Sequence, residues 1–158
     1  MKRVLTLWIA LGVMYVALET VFRGYSHPSM LVVGGLCGLL VGSINQCSRF
    51  YNAPVVLQSI AGALIVLTIE FVAGCILNLW LDLGVWDYSS QPWNILGQIC
   101  PLFGLLWFFL MPLAVWAEDT GSWFIWFYEL TVYQKRLTPP VQNMYSLKTV
   151  YIEFFTGK

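Results

Sequence analysis

Four stretches of the chain, 4–22, 29–45, 55–81 and 95–116, are apolar almost without interruption. Each is close to the ~20 residues needed to cross a hydrocarbon core, allowing for tilt. Backbone groups in lipid must be satisfied internally, so such runs become helices or closed barrels; none of the four alternates polar with apolar as a barrel strand would, so the pattern predicts helices. The third is the longest and is interrupted by Glu70, Gly74 and Asn78. After the fourth comes the aromatic block Trp123-Phe-Ile-Trp-Phe-Tyr128, flanked by Glu118 and Asp119 on one side and Glu129 on the other. It is too short to span, and Trp and Tyr favour the headgroup level, so an interfacial helix is predicted over 123–133. The remaining 134–158 is polar and broken by Pro139 and Pro140. The expected fold is therefore an all-α integral membrane protein: a four-transmembrane-helix bundle plus a C-terminal interfacial aromatic helix within 1–133, and a cytoplasmic polar tail at 134–158.

Composition sharpens this. Of 158 residues, 59% are hydrophobic and only 10% charged, against about 25% charged in a soluble domain. Eight basic residues balance eight acidic ones, with no basic run, which excludes a nucleic-acid-binding footprint. The 16% aromatic content excludes a disordered chain. With four spans and the N-terminus inside, Lys2, Arg3, Arg49, Lys135, Arg136, Lys148 and Lys158 lie inside and Arg23 alone outside. The positive-inside rule then predicts both termini in the cytoplasm of a cell-membrane protein, and a fifth span through the aromatic block would reverse the bias. Met1-Lys-Arg before an apolar run also resembles a signal peptide, but the run is longer than an h-region, so an uncleaved first helix is expected.

The chemistry is sparse. Cys37, Cys47, Cys75 and Cys100 contain no C-x-x-C pair and His27 is the one histidine, so neither a metal site nor a cofactor is expected. No Walker A, G-x-S-x-G or H-E-x-x-H motif is present, and no residue is assigned a catalytic role. In the third span Glu70, Gly74, Asn78 and Asp82 recur every fourth residue, which predicts one helix face. That face continues into Trp86, Asp87 and Tyr88, while Asn94 and Gln98 sit four apart at the start of the fourth stretch. Glu19, Arg23 and His27 join them, so the outer half collects nearly every candidate ligand. A carboxylate at membrane depth costs several kcal/mol and normally faces a partner, a cavity or an ion path. The competing reading makes the amides interhelical hydrogen-bond glue and pairs Glu19 with Arg23. Gly34, Gly38 and Gly42 form a small-residue ridge suited to close packing, within the subunit or in a homo-oligomer. Pro101 and Pro112 are expected to bend the fourth helix.

The run Glu70-x-x-x-Gly74, Trp86-Asp-Tyr-Ser89, Pro92-x-Asn94, Gly97-Gln-Ile-Cys100 and Trp107 resembles the ABC-transporter permease family also called CmpB-like, or type IV. Upstream, Ser26-His27, Met30, Gly34-Gly-Leu-Cys37 and Gly42-x-Ile-Asn45 are similar to its shorter branch, and the likeness covers 19–119. The resemblance implies a small multi-spanning protein of the cytoplasmic membrane, chiefly of Gram-positive bacteria, and transport coupled to a separate ATPase subunit. It carries no defining substrate.

Three functions compete at this point. One is a permease-like subunit binding a small polar or cationic solute, with Glu70 as the charge, Asp82 and Asp87 attracting it at the mouth, Asn94 and Gln98 orienting it, and Glu19, Asn78, Trp86 and Tyr88 as further candidate binding residues. The second is an intramembrane enzyme acting on a lipid or isoprenoid, with Glu70 as acid or base. The third is a non-catalytic assembly factor for membrane complexes. The lipid bilayer is a partner in all three, and nucleic acid in none.

Overall fold

The computed structural model describes residues 2–44, 53–132 and 147–157. Arg49, Lys135, Arg136, Pro139 and Pro140, which carried part of the charge and tail reading, lie outside them. The described residues are helical apart from turns and one bridge pair, Ile95 with Ile99. Three helices are long and apolar enough to cross a membrane, Val4–Arg23, Val55–Trp80 and Pro101–Tyr128, and a shorter apolar helix, Ser29–Gly42, accompanies them. The protein is a membrane protein.

Helix α1, Lys2–Arg23, stops where Gly24 takes φ +80° and its N–H returns to Thr20 O at 2.8 Å. After a short turn α2, Ser29–Gly42, begins; His27 accepts the Ser29 N–H through Nδ1 at 3.3 Å and contacts the Ser29 hydroxyl at 2.8 Å. The histidine read as a candidate ligand therefore serves a helix start. The two helices run antiparallel because glycine lets their backbones meet. A Cβ at Gly12 would collide with the Leu31 carbonyl, at Gly34 with Tyr15, and at Gly38 it would stand 2.8 Å from Leu11. A Cβ at Gly42 would strike Glu118 on the fourth helix. The ridge thus packs inside the subunit, on α1 and the fourth helix, rather than presenting itself to a second copy as the oligomer reading required.

Helix α3, Val55–Gly74, continues through a π-helical stretch, Cys75–Trp80. The wider turn shifts the four-residue repeat, and the helix ends before Asp82, which takes φ 53°. Asp82 therefore leaves the face it was expected to share with Glu70, Gly74 and Asn78. Residues 81–100 fold into a compact cap at one end of the bundle instead of starting the fourth helix at 95. Trp93, Leu96 and Gly97 all have positive φ, a conformation no helix tolerates, and helix α4 begins only at Pro101, whose missing N–H suits a first turn.

Once begun, α4 runs unbroken over Pro101–Val132, about 48 Å at 1.5 Å per residue. It absorbs both the expected end at 116 and the separately expected aromatic helix. Glu118 and Asp119 did not break it because Ser122 donates to Glu118 Oε1 from one turn on, at 2.8 Å. Pro112 is accommodated within it and fully buried. A Cβ at Gly62 would meet Met111, and one at Gly104 would meet Leu67, so α3 and α4 are antiparallel. The core runs between them and α2 through Met30, Val33, Cys37, Val41, Val66 and Met111.

The last helix, α5, Leu147–Thr156, falls within the segment read as a polar tail. Its Phe154 is buried with its ring 5.2 Å from that of Phe108 and 6.1 Å from that of Phe109, and the Tyr151 hydroxyl donates to Phe109 O at 3.2 Å. Val150 and Phe154, one helical turn apart, give this segment an apolar edge that the polar average concealed.

Candidate functional site

Nine residues were read from sequence as ligands at the outer half, and eight of them lie in or beside the cap. Asn78 is the hub: its Nδ2 donates to Gln98 Oε1 at 2.7 Å, and its Oδ1 accepts the Val85 N–H at 2.7 Å. Gln98, almost fully buried, also donates to Leu96 O at 2.9 Å, while the Trp86 indole donates to Gln98 O at 3.0 Å. Gln98 can lie flat on α3 only because residue 74 is glycine; a Cβ there would collide with Gln98 Oε1. The Asn94 amide donates to Gln91 O at 2.8 Å and Ser89 O at 3.1 Å, and its oxygen accepts the Gly97 N–H at 2.8 Å.

The aromatic and acidic members follow the same rule. Tyr88 donates its backbone N–H to Gly97 O at 2.7 Å, and its ring stacks on Phe103 at 4.3 Å. Burial pushes its phenol up from the usual range. Asp87 Oδ1 accepts the Ser89 N–H at 2.8 Å and its Oδ2 the Ser89 hydroxyl at 2.9 Å, and these bonds, the backbone one foremost, hold its carboxyl below the usual value. Glu19 pairs with Arg23 at 2.6 Å and accepts from the Ser26 hydroxyl. Arg23 then reaches Val85 O at 3.2 Å, tying α1 to the cap. Asp82 stands exposed at the rim. Apart from Asp82, these polar groups of the cap are bonded to one another, to Arg23, Ser26 and Ser89, and to the cap backbone.

Glu70 is the exception. It is 4% exposed, on the inner side of α3, yet makes no hydrogen bond to Asn94 or Gln98, the contacts expected of it. Trp107 on α4 is the polar side chain that acts on its carboxyl most directly. Even so, Glu70 Oε2 and Trp107 Nε1 are both buried without a hydrogen-bond partner among the described residues. Tyr15 and Glu19 on α1, Cys37 on α2 and Tyr88 of the cap are also within electrostatic reach of the carboxylate. The Tyr15 ring stacks on Trp107 at 5.7 Å.

Trp107 entered the sequence reading only as part of a resemblance, and Tyr15 not at all. Neither had a local signal, since an aromatic residue in an apolar run reads as packing. Tyr15, Cys37 and Trp107, though not Glu70, also line an apolar cavity of about 70 Å³ together with Leu11, Met111 and Ala114 among others. Among the described residues, no group of three His, Cys, Asp or Glu side chains is placed to hold a metal ion.

No curated protein and no solved structure matches the chain significantly. The family model described as "Putative ABC-transporter type IV" (CmpB) matches residues 8–155, reaching from α1 to the end of α5, and the chain belongs to that family.

Proposed function

We propose that the protein is a permease-like subunit of the cytoplasmic membrane that crosses it four times with both termini inside and binds a small polar or cationic solute through Glu70. One observation carries the site: among the residues read as ligands, Glu70 alone is buried with an oxygen left uncommitted. A buried polar atom without a partner costs about 1–3 kcal/mol, more when charged, and a site that takes up a ligand repays that on binding. The cap is then a rigid lid scaffold, not a set of ligands.

The topology draws on the antiparallel pairing of α1 with α2 and α3 with α4, and on the Lys/Arg bias. Exposed Trp80 and Trp93 at the cap end, with exposed Phe124, Phe127 and Tyr128 toward the other, match two aromatic interface belts. Helix α2, about 21 Å long, is short for a full span and calls for local thinning or flanking loop residues. With no nucleotide-binding motif in this chain, energy for transport would come from a separate ATPase subunit. The assembly-factor reading loses ground because its glycine ridge is already covered by α1 and Glu118.

Two measurements test the proposal. A single cysteine at Ser90 should react with impermeant maleimide from outside and one at Thr138 only from inside; outside labelling at Thr138 would overturn the topology. A panel of small cations and polar solutes, screened by thermal shift on purified protein in lipid nanodiscs, should raise the Tm of the wild type and leave Glu70→Gln unmoved. A solute that stabilises both equally would remove Glu70 from the site.

A further inference from the structure

Helix α3, Val55–Gly74, is 20 residues long, about 30 Å, which matches the ~30 Å hydrocarbon thickness of a bilayer. Its ends can be levelled against α4. Gly62 meets Met111 and the two helices are antiparallel, so an equal count along each brings Val55 level with Glu118, the first charged residue of α4. At the other end Gln98 lies on Gly74, which puts the base of the cap at the hydrocarbon boundary.

The segment 93–96 is held at that level. Ile95 donates its N–H to Ile99 O and accepts the Gln98 N–H, both at 2.9 Å, and Leu96 O accepts from Gln98 Nε2 at 2.9 Å. Asn94 ties the same turn to Ser89, Gln91 and Gly97. Yet Trp93 is 87% exposed, Leu96 64% and Ile95 54%. Trp93 and Leu96 also take φ 55° and 52°, a left-handed conformation that disfavours any residue with a Cβ. A well-bonded turn therefore holds three large apolar side chains outward at a conformational cost, and contact with water would add to that cost.

Their level and their neighbours identify what covers them. Leu102, Leu105 and Leu106, the next exposed apolar residues along the chain, belong to the first turns of α4 on the hydrocarbon side of that boundary. Trp80, at the end of the π-helical stretch, is exposed as well. Asp82 and Asp87 are the charged residues within 75–100, a sign that anionic headgroups would repel and zwitterionic ones tolerate. We propose that 93–96 is a wedge inserted into the cap-side leaflet of a zwitterionic phospholipid bilayer, with Ile95 and Leu96 among the first acyl carbons, Trp93 at the glycerol level, and exposed Asp87, Ser89 and Ser90 in water. The lipid contact assigned to the cap depends neither on Glu70 nor on any solute bound there.

The test uses unmodified full-length protein in phosphatidylcholine nanodiscs. One set contains phosphatidylcholine with a diazirine near the acyl carbonyl, a second set carries it at the chain end, and labelled residues are read by mass spectrometry. The carbonyl-level probe is expected to label 95–96 to within about threefold of Leu102 and Leu105, and at least about tenfold more than Ser89 and Ser90. The chain-end probe should label 93–96 about fivefold less than the carbonyl-level probe. Hydroxyl-radical footprinting of the same nanodiscs should leave Trp93 largely unoxidised. Strong oxidation of Trp93 without acyl label would place the turn in water and overturn the wedge. Protection from both reagents would mean that protein covers it, a second copy of this chain included, and would overturn it too. Because both leaflets carry the probe, neither result depends on which side of the membrane the cap occupies.

Discussion

Two carboxylates are buried at opposite ends of this bundle, and their surroundings differ. Glu118 on α4 is 3% exposed, lies against Gly42 of α2, and accepts the Ser122 hydroxyl from its own helix. Glu70 on α3 is 4% exposed, faces Trp107, and accepts no hydroxyl among the described residues. Burial alone does not distinguish them. The difference lies in supply: the sequence around Glu118 provides a hydroxyl one turn away and a glycine to make room, as expected of a residue that holds helices together. Around Glu70 the nearby side-chain donors are Trp107 on α4, which acts on its carboxyl most directly, and Tyr15 on α1. The contrast is between a carboxylate bonded within its own helix and one that faces an aromatic side chain of another helix.

The largest effect should come from the cap that isolates Glu70. Gln98→Ala would strip Asn78 Nδ2 and Leu96 O of their partners at once. At about 1–3 kcal/mol for each buried group left unsatisfied, a loss of roughly 2–4 kcal/mol is expected, read as a lower Tm in detergent. Gly74→Ala should reproduce much of it by driving a Cβ into Gln98. If Gln98→Ala were silent, the cap would not be the self-satisfied scaffold that makes Glu70 exceptional.

Next in size is Glu118→Gln. The amide oxygen can still accept from Ser122, but the charge-assisted share of the bond is lost, and hydrogen bonds to charged groups are worth about 1.5–3 kcal/mol. A destabilisation of about 1–2 kcal/mol is expected. A neutral result would erase the contrast from the Glu118 side.

Much of the helical plan was legible because it rests on long apolar runs, which periodicity and hydropathy report directly. The limits of those helices were not. Residues 94–100 are as apolar on average as a helix, yet Asn94 and Gln98 bind backbone groups and Leu96 and Gly97 take positive φ, so the chain turns there. Conversely, Glu118 and Asp119 look like an end, but an i,i+4 bond to Ser122 carries the helix through. For the site, sequence identified polar residues out of place in lipid and located them near one another. It could not tell which were mutually satisfied, because pairings such as Asn78 with Gln98 depend on how the cap folds back. The sequence identified Glu70 by its isolation, but Tyr15, Cys37 and Trp107 became its neighbours only through tertiary packing.

A smaller, local effect concerns pH. The carboxyl of Asp87 sits below its usual value because Ser89 donates to it twice, so its contribution is present above the unfolded carboxylate pKa and is lost as pH falls through the lower folded value. Hydrogen exchange at the Ser89 amide should therefore stay slow from neutral pH into the mildly acidic range, after allowance for intrinsic rates, and lose protection only below the ordinary carboxylate range. Asp87→Asn should flatten this dependence without moving the global Tm, because the group is fully exposed. A global transition at the same pH would mean that the cap, not one turn, is titrating.

The smallest expected effect is the most informative. Glu70→Gln replaces a buried carboxylate that has no charged partner among the described residues with an amide of nearly the same shape. Removing an uncompensated buried charge relieves a desolvation cost, so the Tm should stay level or rise, opposite in sign to Glu118→Gln. If Glu70 instead held a partner through its charge, the substitution would orphan that partner and lower the Tm much as Glu118→Gln does. Measured side by side in the same nanodiscs without added solute, the two variants give the sign directly. Opposite signs leave Glu70 free for a ligand, and matching losses make both carboxylates structural.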